Sequence, residues 1–182
     1  MGTNGEPENP PSLGFPDITD EFPLPGNEIN LRPRFAASVG KIGDILCNNL
    51  FLTYVEEGKI KLGYSLDGGN DMTQPRVDLL NPMGNIRRLE IASRNNIVVV
   101  VAIEENEQGL WAIGSTGTLK IGDTGPFIDH LECQPRKLPT NLDNIVDMTI
   151  RINDDGTSDD FIIYRGGAGA LTTKVGHHPH AP

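Results

Sequence analysis

The chain has 182 residues, with 25 Asp and Glu against 15 Lys and Arg, and a formal net charge of −10. That length suits one domain with a sizeable core. An acidic surface repels phosphate backbones unless its basic residues cluster, so we expect no nucleic-acid partner. The longest wholly apolar run, residues 97–103, is too short to cross a bilayer, so no membrane span is expected either.

The amino-terminal residues lack the basic region and apolar stretch of a secretory signal. We therefore expect an intracellular, soluble protein of the cytoplasm or nucleus, and a mature secreted product stays open as the alternative. The two cysteines, Cys47 and Cys133, are far apart and form no C-x-x-C motif. We expect both to be free thiols.

Residues 1–34 differ in composition from the rest of the chain. They hold seven of the 14 prolines and six acidic residues, a composition that buries too little apolar surface to offset its ordering entropy. We interpret them as an extended acidic Pro-rich arm, which acts either as a linker or as a segment pinned to a surface by spaced apolar anchors. The anchors are Phe15, Ile18, Phe22 and Leu24, and Phe15 and Phe22 are candidates for protein contact.

From residue 35 onward, apolar residues come in short runs bounded by Gly, Asn, Asp and Pro, which indicates β-strands. Residues 49–65 and 96–114 each predict a hairpin, whereas residues 85–94 fit either a helix or an irregular strand. The enrichment in Val, Ile, Tyr and Phe is typical of strands packed on both faces. We predict an all-β chain whose buried residues include Leu50, Leu52, Tyr54, Val98, Val100, Trp111, Ile113, Ile162 and Tyr164.

Three segments repeat along the chain. Each ends in a glycine, and these glycines, Gly63, Gly114 and Gly166, are 51 and then 52 residues apart. A fixed period near 50 residues with several short strands in each unit indicates a β-propeller with one blade per repeat. The predicted repeats are residues 35–83, 84–139 and 140–176, followed by a His-rich tail at 177–182.

The repeats resemble those of the regulator of chromosome condensation family over about residues 35–176. That family's pattern includes Gly-apolar-aromatic-apolar-apolar-Gly followed by Gly-x-Leu-Gly. The first repeat has SLDGGND in place of Gly-x-Leu-Gly. The third repeat lacks the glycine before its strand. The second repeat matches best, through Gly109, Trp111, Gly114, Gly117, Leu119, Gly122 and Pro139. The resemblance implies β-propeller blades and binding to other proteins.

The sequence offers no catalytic or cofactor-binding motif. No G-x-x-x-x-G-K-[ST] loop is present, and Ser115 lies outside a G-x-S-x-G turn with no histidine in a suitable order. Residues 65–69, SLDGG, resemble the Asp-box of sialidase-type propellers, which is a hairpin turn. We therefore expect no enzymatic activity and no cofactor.

Two segments suggest metal ligands without completing a site. Residues 153–160 fail the EF-hand template, because Arg151 and Ile162 would occupy its first and last positions. His130 and Cys133 make half a zinc site at best, and the histidines of the tail have no visible supporting groups. No metal is expected.

Arg87, Arg88 and Arg94 form the densest positive cluster of an acidic chain. They predict either a solvated loop face or a contact for an anionic or protein partner.

The function that fits these observations is a non-catalytic protein-interaction or scaffold module within a larger assembly. Two alternatives stay open: guanine-nucleotide exchange or other regulation of a small GTPase, and a lectin-like or enzyme-inhibiting propeller. Three repeats are fewer than the roughly four to eight blades of a closed propeller. We therefore expect a protein partner or a second copy to complete it, and residues 31–40 are a candidate extra strand for the last blade.

Overall fold

The computed structural model describes residues 31–70, 72, 77–138, 145–153, 157–166 and 169–179. No helix occurs in these ranges, and every pair of neighbouring strands is antiparallel. The predicted all-β class is therefore confirmed for this part of the chain. The strands are β1 (Arg34–Ile42), β2 (Ile45–Glu56), β3 (Lys59–Ser65), β4 (Val77–Leu80), β5 (Asn85–Arg94), β6 (Ile97–Asn106), β7 (Gly109–Gly122), β8 (Gly125–Glu132), β9 (Arg136–Lys137), β10 (Ile145–Ile152), β11 (Thr157–Gly166) and β12 (Gly169–Pro179).

The strands form three sheets, each built from one continuous part of the chain. Sheet one has the order β1-β2-β3-β4, and sheet two has the order β5-β6-β7-β8 with β9 added beside β7. Sheet three has the order β10-β11-β12. Each main strand pairs with the next one in sequence, which is the antiparallel arrangement that short hairpin turns produce.

The turn between β2 and β3 shows how local sequence sets this arrangement. Glu57 and Gly58 are the two residues between the strands, and both have positive φ, 52° and 75°. That pair of dihedrals is typical of a type I′ turn, whose twist matches the twist of the flanking strands. Glycine at the second position adopts it without steric cost.

The apolar run at 97–103 supplies two cores at once, because successive side chains of β6 point to opposite faces of sheet two. Val98, Val100 and Ala102 belong to a first core that also contains Phe51 and Leu62 of sheet one. The alternate residues belong to a second core, which reaches Met148 of sheet three. The members of the second core are Val99, Val101, Ile103, Ala112, Leu138 and Met148. Sheet two is therefore packed on both faces along β6.

The predicted buried residues are confirmed in part. Leu52, Tyr54, Val98, Val100 and Ile113 are buried. Leu50 and Trp111 are half-buried instead. Leu50 lies on the outer face of sheet one, and Trp111 lies near the start of β7 with the Nζ of Lys137 5.8 Å from its ring centroid. Ile162 and Tyr164 lie outside the residues whose side chains are described.

Three other expectations have a structural outcome. Residues 85–94 form β5, so the helix alternative is wrong. Residues 31–40 do not extend the last sheet, because the two-residue turn after Ile42 folds β1 back onto β2 within sheet one. Cys47 and Cys133 are free, as predicted.

The ends of the chain need separate mention. Residues 1–30, including the contact candidates Phe15 and Phe22, lie outside the described residues. The sheet structure begins within the predicted arm of residues 1–34, since Leu31 is buried in the first core and β1 starts at Arg34. At the other end, β12 continues through Pro179, past the predicted end of the third repeat at 176.

The part of the chain described here holds no helix with the length and hydropathy to cross a membrane.

Candidate interaction surface

One face of β1 is turned toward solvent. Phe35, Ala37 and Val39 are exposed, and the residues between them are less exposed. Successive side chains of a strand point to opposite faces, so these three share one face. Leu46 of β2 lies on the same face, because it is the neighbour of Lys41 across the β1–β2 ladder and cross-strand partners point the same way.

Four residues, Phe35, Ala37, Val39 and Leu46, form what we call the open patch. The exposed fractions of its large side chains are 50% for Phe35, 58% for Val39 and 72% for Leu46. Water penalises apolar surface of this kind, and clustered exposed apolar residues mark sites of association. The open patch is therefore the strongest candidate for an interaction surface in the described residues.

The opposite face of β1 is fastened to sheet two. The guanidinium of Arg34 donates through Nε to the carbonyl oxygen of Leu89 at 3.2 Å, and it lies 3.4 Å from the carboxylate of Glu90. Ser38 Oγ donates to the carbonyl oxygen of Asn95 at 2.6 Å. These bonds fix β1 against β5, so the face that carries the open patch points away from the rest of the stack.

The open patch ends where the loop after β3 passes over β2. A Cβ added at Gly69 would lie 2.9 Å from Cδ2 of Leu50, so the loop backbone contacts that leucine. Further along the same face, Leu52 and Tyr54 are buried. On this face of sheet one, the exposed apolar surface is therefore confined to β1 and to the β1–β2 hairpin.

The loop after β3 is the predicted Asp-box-like turn, and its hydroxyl is used internally. Ser65 Oγ donates to Oδ1 of Asp67 at 2.6 Å and accepts from the backbone N–H of Gly69 at 2.9 Å. Ser65 is fully buried. The hydroxyl thus holds the turn closed, and the interpretation of this motif as a structural turn is confirmed.

The structure separates the side chain of Arg87 from that of Arg88, its neighbour in sequence. Arg87 occupies a β-bulge between Ile86 and Arg88 and forms an ion pair with Glu105. Arg88 lies opposite Ile103 on β6, a residue of the second core. Neighbours in sequence therefore serve different parts of sheet two.

Arg94, the last residue of β5, contacts sheet three. Its guanidinium donates to the carbonyl oxygen of Ile152 at 3.5 Å, which links β5 of sheet two to β10 of sheet three. An arginine in this position helps to hold two sheets together. The prediction that Arg87, Arg88 and Arg94 contact a partner stays a prediction.

A cleft of about 870 Å³ lies beside Arg87 at the turn ends of sheets one and two. Its wall includes Met83 and Gly84, whose backbone N–H groups donate to Oε2 of Glu104 at 2.8 Å and 3.3 Å. Glu104 is buried, and Met83 is 91% exposed. These two N–H groups already have an acceptor within the chain. What the cleft presents is polar side chains and one exposed methionine.

Ser115 and the segment tested against the calcium template make hydrogen bonds within the chain. Ser115 is buried, and its hydroxyl donates to the carbonyl oxygen of Leu131 at 3.2 Å. In the ranges that the structure covers, no group of three or more His, Cys, Asp and Glu side chains is arranged to hold a metal ion. Asn153 Nδ2 donates to Thr157 Oγ1 and to Asp159 Oδ2, at 3.1 Å and 3.2 Å, within the segment tested against the calcium template.

Sequence reasoning missed the open patch. Its signal is the alternation Phe35, Ala37, Val39, a period of two with only two large apolar residues. The small residues Ala36 and Ala37 weaken the contrast between faces. The interpretation of residues 31–40 as an extra strand of the last blade also places them inside a sheet contact and not at an open face.

Comparison of the chain with protein-family models, with curated proteins and with solved structures gave no match.

Proposed function

We propose that this chain is a non-catalytic protein-interaction module whose sheets are blades of an incomplete β-propeller. Another chain that presents a β-sheet completes the stack by packing on the open patch of sheet one. That chain is either a second copy of this one or a different polypeptide. The role of the protein is then to hold a partner rather than to transform a substrate.

The observation that carries this proposal is the contrast between the two faces of sheet one. The inner face supplies Phe51, Ile60 and Leu62 to the first core, and all three are fully buried. The outer face leaves Phe35 and Val39 at least half exposed. Sheet two has no such open face along β6, because a sheet packs on each side of it.

The order of the sheets supports the blade interpretation. The first strand of each sheet, β1, β5 and β10, is the one by which neighbouring sheets make most of their contact. Each sheet is an antiparallel meander from one continuous part of the chain. Sheets that radiate from a shared line of first strands are the arrangement of propeller blades.

The test is a comparison of partners bound by the wild-type chain and by patch variants. Phe35→Asp and Val39→Asp place a charge on the open patch without altering the first core. Met83→Asp is the matched control, since it makes the same kind of change at an exposed apolar residue outside the patch. We expect the patch variants to lose stoichiometric binding of a partner from the native source and the control to retain it.

Retained binding by the patch variants is the result that bears against the proposal. Partners that bind Phe35→Asp and wild type equally do not use the open patch. A patch variant with an altered unfolding midpoint is replaced by Ala37→Asp, which places the charge on a small exposed residue of the same face. Retained binding by both variants contradicts the proposal.

A further inference from the structure

Sheet three differs from its neighbours in strand number. Sheets one and two each have four strands in their main order, whereas sheet three has three in the described residues, with β12 at its edge. A strand edge presents unpaired backbone N–H and C=O groups to whatever lies beside it. The place next to β12 corresponds to the place that β4 fills in sheet one and β8 fills in sheet two.

The contact between sheets one and two shows what a fourth strand does in this stack. β4 contributes Leu79 and Leu80, which are 1% and 3% exposed. They belong to the same core as Leu119 of β7 and Ile128 of β8. One face of β8 is therefore covered by the fourth strand of the neighbouring sheet.

The other face of β8 lacks that cover. Leu131 lies opposite Thr116, which lies opposite Val99 of the second core, so Leu131 points to the side of sheet three. Phe127 is on the same face as Leu131, four residues earlier along the strand. Phe127 is 44% exposed and Leu131 is 52% exposed.

We propose that residues 17–22 of this chain supply the missing fourth strand of sheet three. They pair with β12 along the edge that has no partner strand in the described residues, and they place Ile18 and Phe22 over Phe127 and Leu131. This inference is independent of the proposed partner site, because it concerns a different sheet and a segment of the same chain.

The sequence of the segment fits a short edge strand. Residues 17–22 read DITDEF and contain no proline, although Pro16 and Pro23 bound them. β4 needs only four residues to cover its side of β8. Ile18 and Phe22 are four residues apart, so a strand would point both to one face. Proline is tolerated at the margins of an edge strand.

The length of the intervening chain allows this placement. Phe22 lies nine positions before Leu31, the buried residue at which the described chain begins. An extended chain of that length spans roughly 30 Å. The span from the first core to the outer edge of sheet three is on the order of 20 Å, from sheet and strand spacings.

Hydrogen exchange of the full chain, read by mass spectrometry, tests the inference. We expect the amides of residues 18–22 to exchange at least ten-fold more slowly than in a free peptide of the same sequence. Phe127→Asp removes that protection, and Phe35→Asp, an equally exposed phenylalanine on the open patch, leaves it intact. An Ile18→Asp, Phe22→Asp double variant removes the protection without touching β8, which covers the case in which Phe127→Asp disturbs folding.

Three results overturn the inference. The first is exchange of residues 18–22 at the free-peptide rate in the wild-type chain. The second is protection lost in Phe35→Asp and kept in Phe127→Asp, which places the segment on the open patch. The third is protection that increases with protein concentration, which means that a second copy provides the strand.

Discussion

Arg34 Nε donates a hydrogen bond to the carbonyl oxygen of Leu89 at 3.2 Å and thereby ties the first strand of sheet one to the first strand of sheet two. The same guanidinium lies 3.4 Å from Glu90, and the two side chains are 39% and 22% exposed. The bond joins residues 55 positions apart in sequence. Together with the bond from Ser38 Oγ to the carbonyl oxygen of Asn95, it holds the inner face of β1 against sheet two.

Replacing Arg34 by alanine is expected to destabilise the chain by about 1 kcal/mol. A charged hydrogen bond to a backbone carbonyl contributes more than that when buried, and partial exposure reduces it. Urea unfolding measures the change. Arg32→Ala removes an exposed arginine two residues earlier and is the matched control, with an expected change near zero. Equal effects of the two substitutions would show that the contact with β5 is not stabilising.

Gly40→Ala is expected to destabilise the chain by about 1–3 kcal/mol, the usual cost of overpacking. A Cβ at this position would lie 1.8 Å from Oδ1 of Asn96 and 2.9 Å from the backbone carbon of Asn95. The asparagine side chain could rotate, but the backbone of Asn95, in the turn between β5 and β6, is held by hydrogen bonds from Ser38 and Asn49. Gly63→Ala is the control, because its Cβ would meet only Cε of Met72 at 3.5 Å. A Gly40→Ala variant as stable as Gly63→Ala contradicts the close approach of β1 to sheet two.

Ser65→Ala is expected to lower the free energy of unfolding by about 1–3 kcal/mol, the cost of leaving a buried group unsatisfied. The hydroxyl accepts from the N–H groups of Asp67 and Gly69, at 3.3 Å and 2.9 Å, and alanine offers no replacement. Ser38→Ala removes a hydroxyl from an exposed hydrogen bond and provides the comparison. A smaller effect at Ser65 than at Ser38 would contradict the structural role of the turn.

The stability contributed by Asp78 is expected to depend on pH. Its carboxylate contacts Lys59 Nζ at 2.7 Å and Lys61 Nζ at 3.1 Å. The hydrogen bond from Lys59, and then that from Lys61, lowers the pKa of Asp78 below its ordinary value. Hydrogen bonds to Asp78 and then to Glu56 raise the pKa of Lys61.

The two shifts set opposite limits to the stabilisation. A lowered carboxyl pKa contributes stability above about pH 4 that is lost as the pH falls below that value. A raised lysine pKa contributes stability below about pH 10 that is lost as the pH rises further. The difference in unfolding free energy between wild type and Asp78→Asn should therefore be largest near about pH 7 and shrink at about pH 3 and 11. Asp44→Asn, at a fully exposed partner of Lys41, is the control. A difference that is constant with pH contradicts the assignment.

The fold class could be predicted from the sequence, because the run at 97–103 and the Glu57-Gly58 turn are local signals of strands and hairpins. Successive side chains of a strand point to opposite faces, so Val98 and Val99 enter different cores once sheets pack on both faces of β6. The site could not be predicted in the same way. Arg87 and Arg88 are adjacent in sequence, but a bulge and the two-residue period of a strand send them to different surroundings.

Position in the stack explains the remaining differences. Phe35 and Val39 are residue types that usually lie in a core. They are exposed because β1 lies at the outer face of sheet one. The sequence predicts Trp111 in the core. In the structure it lies opposite Lys137 of the short strand β9 and is half-buried. Burial at these positions depends on which sheet lies next to which, and that information is not local in the sequence.

Binding of a hydrophobic dye to the full-length chain, at a concentration where sedimentation shows a monomer, tests the open patch most directly. We predict that the wild-type chain binds dye and that a Phe35→Asp, Val39→Asp double variant loses most of that binding, while Met83→Asp retains it. A folded wild-type monomer that binds no dye, or a double variant that binds as much as wild type, would contradict an uncovered apolar face on sheet one.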